Sequence, residues 1–169
     1  MRPDNFERGD LDYLFSITYE ELRRLAASIP GRSATLNPTA LVNEAWIKLS
    51  RSPQFGATSP MHFKRIAARA MRQVLVDAAR RRNANKRAGD LISFEESLGI
   101  AGETNNLLGL DAALDELGRM SPRQAMIVES RFFGGLEITE IAELTSLSTA
   151  TIVREWRSAR AWLAQRVRS

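Results

Sequence analysis

Two short helical segments joined by a tight polar turn, near the C-terminus, constrain the fold of this chain more than any other feature. In the first segment, apolar residues recur at helical spacing, at Leu136, Ile138, Ile141, Leu144 and Leu147. Ser148 is suited to cap the second segment, because its hydroxyl can accept a hydrogen bond from a free backbone N–H. One face of the second segment is again apolar, at Ile152, Trp156, Ala159 and Leu163. Such a pair predicts a helix-turn-helix.

The second segment also carries a polar and basic face outside the apolar stripe. Short side chains near its start can approach base edges, and its arginines can reach phosphates or guanine in a major groove. The predicted DNA-contacting residues are Ser148, Thr149, Ala150, Thr151, Arg154, Arg157 and Arg160. A helical hairpin with a solvated basic face is the alternative interpretation, since motifs of this kind over-predict.

Composition excludes several classes of protein. The chain has 169 residues, of which 44% are hydrophobic, and this is enough for one ordinary domain or two small ones. It has no cysteine, which excludes a disulfide framework and any cysteine-ligated zinc site. No run approaches the roughly 20 apolar residues that a membrane span needs, and the N-terminus has no apolar signal core. We therefore expect a soluble, cytoplasmic protein with no membrane partner.

Helix start signals recur along the chain. Asn37 before Pro38 and Ser59 before Pro60 each place a capping side chain ahead of a proline suited to the first helical position, and Ser121 before Pro122 repeats the pattern. A further helix is expected from about residue 10 to residue 28. No segment shows the alternation of a strand, so the fold class is predicted to be all-α.

Charge is segregated along the chain. Residues 64–87 contain nine basic residues and one acidic residue, whereas residues 88–121 contain one basic and seven acidic residues. Helical pattern also decays after residue 88 among glycines and polar residues. We therefore predict two small helical domains, residues 1–87 and 111–169, joined by a flexible acidic linker over residues 88–110.

Three stretches in this order carry a resemblance to a known family. They read LVNEAWIKL, FKRIAARAMRQVLVDAARRR and GGLEITEIAELTSLSTATIVREWRSARAWL. Together they resemble a bacterial RNA polymerase sigma factor of the extracytoplasmic function (ECF) group in the sigma-70 family. The resemblance equates the first predicted domain with sigma domain two, and the second, which holds the helix-turn-helix, with sigma domain four.

The resemblance implies a protein that binds core RNA polymerase and directs promoter-specific transcription initiation, without a reaction or cofactor of its own. Domain four would read the minus-thirty-five element through the helix that begins at Ser148. Domain two would read and melt the minus-ten element through Phe63, Lys64, Arg65, Arg69, Arg72, Arg80, Arg81 and Arg82. Such cations suit melted strands, which expose phosphates and unstacked bases. The alternatives are a solvated charged face and, for Phe63, a place in the core.

In such sigma factors the second helix of domain two docks on the clamp helices of the largest polymerase subunit, and domain four meets the flap. An acidic helix start is common there, but this chain has Asn37, Pro38, Thr39 and Ala40 instead. The predicted docking residues are Thr39, Leu41, Asn43, Glu44 and Lys48. Because phosphorylation adds about −1.5 to −2 charges at pH 7, we hypothesise that a Ser/Thr kinase activates the factor at Thr39, with Thr35 as second candidate. An ordinary helix-start threonine is the alternative.

The resemblance also allows an anti-sigma factor as a further partner. The acidic linker resembles a connector that threads the RNA exit path, or is simply a soluble tether.

A helix-turn-helix regulator that acts without polymerase docking is an alternative function, and it would bind duplex DNA tightly by itself. An enzyme is not expected, because Asp77 stands alone in the basic helix and no catalytic or metal-binding constellation of His, Asp and Glu is evident.

Overall fold

The residues that the computed structural model describes form seven helices and no strand. They are α1 (Arg8–Ser28), α2 (Pro38–Ser50), α3 (Pro60–Ala88), α4 (Ile100–Met120), α5 (Pro122–Phe132), α6 (Ile138–Thr145) and α7 (Thr149–Arg168). The described backbone covers residues 8–29, 36–51, 59–88 and 100–168. The predicted all-α class is confirmed. Of these helices, none is both long enough and apolar enough to cross a membrane.

The predicted helix starts are confirmed by their hydrogen bonds. Asn37 Oδ1 accepts from the Ala40 N–H at 2.9 Å at the start of α2. Ser59 Oγ does the same for α3, accepting from His62 N–H at 3.1 Å. Ser121 Oγ accepts from the N–H three residues later, at 3.4 Å, and so caps α5. Each cap satisfies one of the amide groups that a helix leaves unpaired at its first turn.

Helices α6 and α7 form the predicted helix-turn-helix. Ser146, directly after α6, adopts a left-handed conformation with φ 57° and ψ 32°, which reverses the chain direction. Leu147 N–H then donates to the Ala142 carbonyl at 3.1 Å. Ser148 Oγ accepts from Thr151 N–H at 3.1 Å, as the sequence predicted. The turn is therefore closed by backbone bonds on one side and by a side-chain cap on the other.

Two apolar clusters hold the chain together. The smaller cluster is the helix-turn-helix core, formed by Ile127, Leu136, Ile141, Ala142 and Ile152. The larger cluster runs without interruption from Leu14 in α1 to Leu163 in α7. Helix α3 is central to it, because α3 packs against α1 and α2 on one side and against α4, α5 and α6 on the other.

Part of the predicted linker of residues 88–110 is helical in the structure. Helix α3 continues to Ala88, and α4 already begins at Ile100; residues 89–99 lie outside the described part of the chain. Two asparagines and a glycine give residues 104–109 low helix propensity, so the pattern is typical of a loop. Leu107 is buried, however, in line with Leu114 of the same helix, and this burial overrides local propensity.

Candidate nucleic-acid interface

The start of α7 presents the face that the sequence assigned to DNA. Thr149, Ala150, Arg154 and Arg157 are exposed. With Val153 they line a shallow groove on the surface of the helix. Small side chains at the tip and two arginines behind them can reach base edges and phosphates at once.

Three of the predicted DNA-contacting residues also make contacts within the protein. The hydroxyls of Ser148 and Thr151 are hydrogen-bonded to each other at 2.9 Å. Arg160 is exposed, and its guanidinium lies 5.8 Å from the centre of the Trp156 ring. Val153 was not among the predicted DNA-contacting residues, although its position one residue before Arg154 was an available signal. An apolar side chain at this position suits a thymine methyl group.

Helix α3 separates its predicted DNA-contacting residues into exposed and buried groups. The exposed ones are Arg65, Arg69, Arg80 and Arg81, and Arg82 is half-buried. Arg80 also approaches Asp111 Oδ2 at 3.6 Å, and Arg81 Nε donates to the Asp77 carbonyl at 3.4 Å. The exposed arginines form a basic edge along one side of the helix, which is suited to phosphates.

Phe63, Lys64 and Arg72 do not lie on that edge. Phe63 is completely buried, which corrects its assignment to DNA and supports the core interpretation. It begins the buried stripe of α3, and an apolar ring gains more from that core than from solvent. Lys64 is only 5% exposed, and Arg72 is half-buried. Neither cation could have been placed from sequence, because their partners come from distant parts of the chain.

Arg72 is surrounded by carboxylates of α4 and α5. Its Nε donates to Asp111 Oδ1, its Nη1 to Glu129 Oε2 and its Nη2 to Asp115 Oδ1, each at 2.8 Å. Nη2 also donates to the Asp111 carbonyl at 3.1 Å. Burial by itself would lower the pKa of Arg72, but the bond to Glu129 and the charge of Asp111 raise it above its ordinary value.

Lys64 has a similar environment between α1 and α6. Its Nζ lies 2.8 Å from Glu21 Oε1 and 2.9 Å from Glu140 Oε2. Burial opposes the charged form of the amine, but the bonds to these two carboxylates raise the pKa of Lys64 above its usual range. The ammonium therefore stays charged inside the structure.

The predicted docking helix, α2, exposes most of the residues assigned to it. Thr39, Asn43, Glu44 and Lys48 are exposed, and Lys48 Nζ lies 3.6 Å from Asp77 Oδ2. Leu41 is completely buried, so its assignment to a partner surface is wrong. It belongs to the inward stripe of α2, which packs on α1 and α3.

Two further features of α2 bear on its surface. Ile47 is 39% exposed and lies two turns after Thr39, on the same face as Asn43. Sequence reasoning missed it, although the i, i+4, i+8 spacing was visible.

Thr39, the first phosphorylation candidate, occupies the first turn of α2, where free N–H groups and the helix dipole favour an anion. Thr35, the second phosphorylation candidate, lies outside the described residues.

Among the described residues, no group of three or more His, Cys, Asp or Glu side chains is placed to hold a metal ion. What they do present is an all-α chain with a helix-turn-helix, an exposed basic edge and an exposed amphipathic helix. Together these features are typical of a DNA-binding transcription protein.

A comparison with family models identifies the class more closely. The model described as ECF sigma factor matches residues 6–169, nearly the whole chain. The chain therefore belongs to the ECF sigma factors of the sigma-70 family, which direct transcription initiation at promoters. No match was found among curated proteins or among solved structures.

Proposed function

We propose that this sigma factor reads the minus-thirty-five element with the first two turns of α7 and the minus-ten element with α3, after α2 has docked on the clamp helices of core polymerase. The observation that carries this proposal is the exposed tip of α7. Thr149 and Ala150 leave room for the helix to enter a major groove, and Arg154 and Arg157 follow on the same surface. The predicted division into domains two and four belongs to the same proposal.

The basic edge of α3 supports the minus-ten assignment. The exposed arginines of α3 are Arg65, Arg69, Arg80 and Arg81. Contacts with phosphates supply affinity without sequence information, so base selection near minus ten requires further groups. Residues 52–58, just before α3, lie outside the described part of the chain.

Run-off transcription with purified core polymerase and a promoter library tests the proposal. We expect promoter-dependent transcripts that require this chain. Arg154→Ala is expected to reduce transcription at selected promoters and to relax base preference near minus thirty-five, since a good bidentate arginine contact supplies about 1–3 kcal/mol of discrimination. Arg123→Ala is the matched control, because Arg123 is paired with Glu155 at 2.9 Å and lies on α5.

The alternative, a helix-turn-helix regulator without polymerase docking, gives a different result. It binds duplex DNA tightly as the free protein, usually as a dimer at two half-sites. If selected promoters bind the free chain strongly and core polymerase adds no transcription, this chain acts as a regulator and not through polymerase.

A phosphorylation switch at Thr39 is the regulatory part of the proposal. The first turn of α2 has no acidic residue, and Thr39 is exposed there. A phosphate at this position would add the negative charge that related docking helices carry in their own sequences, and free N–H groups would stabilise it. Docking on basic clamp helices would then depend on the kinase.

Polymerase binding should be compared for the wild type, Thr39→Ala and Thr39→Glu, with mass spectrometry of the native protein for phosphate. We expect Thr39→Glu to bind more tightly than Thr39→Ala. Thr139→Glu is the matched control, because Thr139 is also exposed and is also the second residue of a helix, α6. Equal affinity in all variants, with no phosphate on the native protein, removes the switch.

A further inference from the structure

Helices α1–α3 form the first half of the chain and α4–α7 the second half, and the two halves are packed closely together through α3. A Cβ placed on Gly134, in the turn after α5, would lie 2.9 Å from the Cβ of Ala68 in α3. A Cβ on Gly135 would lie 3.4 Å from the side chain of Leu25 in α1. Both contacts join elements of the first half to the loop that leads into the helix-turn-helix. The apolar part of the interface is therefore complementary in shape rather than incidental.

The polar part of the interface uses two cations, Lys64 and Arg72, that the sequence analysis assigned to minus-ten DNA. Arg72 makes four hydrogen bonds to α4 and α5, through Asp111, Asp115 and Glu129. A guanidinium has five N–H donors in a planar fork, so four bonds leave it no free pair for a bidentate phosphate contact. A nucleic-acid strand would have to displace these carboxylates before it could bind Arg72.

Lys64 is held in the same way, a little over two turns earlier on α3. Its two carboxylate partners come from different halves, Glu21 from α1 and Glu140 from α6. A cleft of about 750 Å³ runs along α3 from Arg65 to Arg80 and includes Arg72 in its lining. Arg65 and Arg69 are on its α3 wall, and Asp115 and Glu129 are on the opposite wall. Negative charge thus faces the basic edge where a DNA strand would lie.

We infer that the packing of α3 against α4–α6 is an inhibitory clasp, in which Asp111, Asp115, Glu129 and Glu140 occupy the place of DNA phosphates on Arg72 and Lys64. The closed chain then binds minus-ten DNA poorly, and the carboxylates must release α3 before α3 can bind a melted strand. The inference rests on the proposed role of α3. It also gives a physical reason why the free factor would bind DNA weakly while its α7 tip stays exposed.

The clasp is tested on the free full-length chain, without polymerase. Because the chain has no cysteine, Ser16→Cys in α1 and Ala164→Cys in α7, both at exposed positions, can carry spin labels that report the distance between the halves. The opened variant is Asp111→Asn/Glu129→Gln, which keeps side-chain shape and removes charge. The control is Glu116→Gln/Glu155→Gln, which has the same charge change but breaks pairs with Arg166 and Arg123 inside the second half.

We expect one narrow distance distribution for the wild type and the control, and a broad or longer one for the opened variant. Affinity for a fluorescent single-stranded oligonucleotide is then measured by anisotropy. If less than a tenth of the wild-type chain is open, the opened variant should bind at least about tenfold more tightly than the control. An unchanged distance in the opened variant overturns the clasp, and opening with no gain over the control overturns its inhibitory role.

A second variant covers the case in which circular dichroism shows that the opened variant has lost helix. Glu140→Gln removes one charge from Lys64, while its amide oxygen can still accept from Glu137 N–H, as Glu140 Oε1 does at 3.2 Å. A broadened distance and tighter oligonucleotide binding are expected, and wild-type behaviour in both measurements refutes the clasp. Run-off transcription tests the sigma function separately, so either inference can fail while the other stands.

Discussion

Replacing Gly134 by alanine should destabilise the protein, because the position has no room for a methyl group. The added Cβ would lie 2.8 Å from the Ser130 carbonyl oxygen, 2.9 Å from Ala68 Cβ and 2.9 Å from Leu136 Cδ1. The first two atoms are fixed by backbone, in α5 and α3, and Leu136 is fully buried and cannot turn aside into solvent. Helix α3 and the turn after α5 would have to separate.

The magnitude follows from the size of these overlaps. Carbon atoms in contact normally lie about 3.5–4.0 Å apart, so the contacts with Ala68 Cβ and Leu136 Cδ1 are each short by about 0.6 Å or more. Overpacking a filled core costs about 1–3 kcal/mol, and three fixed contacts place this case near the upper end. Alanine also restricts the unfolded chain, which returns about 0.4–1 kcal/mol. The expected net loss in the free energy of unfolding is about 2 kcal/mol.

Gly109→Ala provides a matched control in α4. Nothing lies within 4 Å of the added Cβ, and the position is exposed in a helix interior. Alanine is favoured there over glycine by about 0.5–1 kcal/mol, so this variant should be more stable than the wild type. Urea denaturation followed by circular dichroism measures both. If Gly134→Ala unfolds at the same urea concentration as Gly109→Ala, the close approach of α3 and the turn is not present in solution.

Three further predictions concern a cap, a turn and a histidine. Asn37→Ala should cost about 0.5–2 kcal/mol in urea denaturation because Ala40 N–H loses its acceptor, whereas Asn37→Asp should retain the cap; equal losses would contradict this. Ser146→Gly should gain up to about 1 kcal/mol, since its left-handed φ of 57° is strained for serine, and a loss would argue against that conformation. Burial, and then the charge of Arg65, lower the pKa of His62 from its usual 6.5, so protonation opposes folding. Stability from this residue is present above that value and lost as pH falls below it; the wild type should lose more stability than His62→Gln between about pH 7.5 and pH 5.5, and parallel curves would refute the assignment.

Local chemistry made several parts of the fold predictable. The caps at Asn37, Ser59 and Ser148 depend only on residues three positions apart, and each was confirmed in place. The helix-turn-helix was likewise visible, because its apolar spacing and its turn lie within one short stretch. The start of α4 was not visible, since Leu107 becomes part of a helix through burial against the rest of the chain.

The candidate site likewise has a part that local sequence predicts and a part that depends on distant contacts. The exposed tip of α7, at Thr149 and Ala150, follows from helical periodicity, which puts one face inward and leaves the other free. Periodicity also predicted a basic face for α3. It could not distinguish Arg69, which is exposed, from Arg72, which is held by carboxylates 39 or more residues away in sequence.

By itself, then, the sequence determined the helices, their caps, the helix-turn-helix and the family, because these depend on the order of neighbouring residues. Tertiary structure alone decided which cations are available for DNA. In the sequence, Asp111 looks like an ordinary acidic residue at the start of the second predicted domain, yet its Oδ1 lies 2.8 Å from Arg72 Nε. The sequence gives the charge of a residue, but the helix that folds against it decides which group becomes its partner. The strength of an ion pair depends on the distance between the two charged groups, and only the tertiary structure sets that distance.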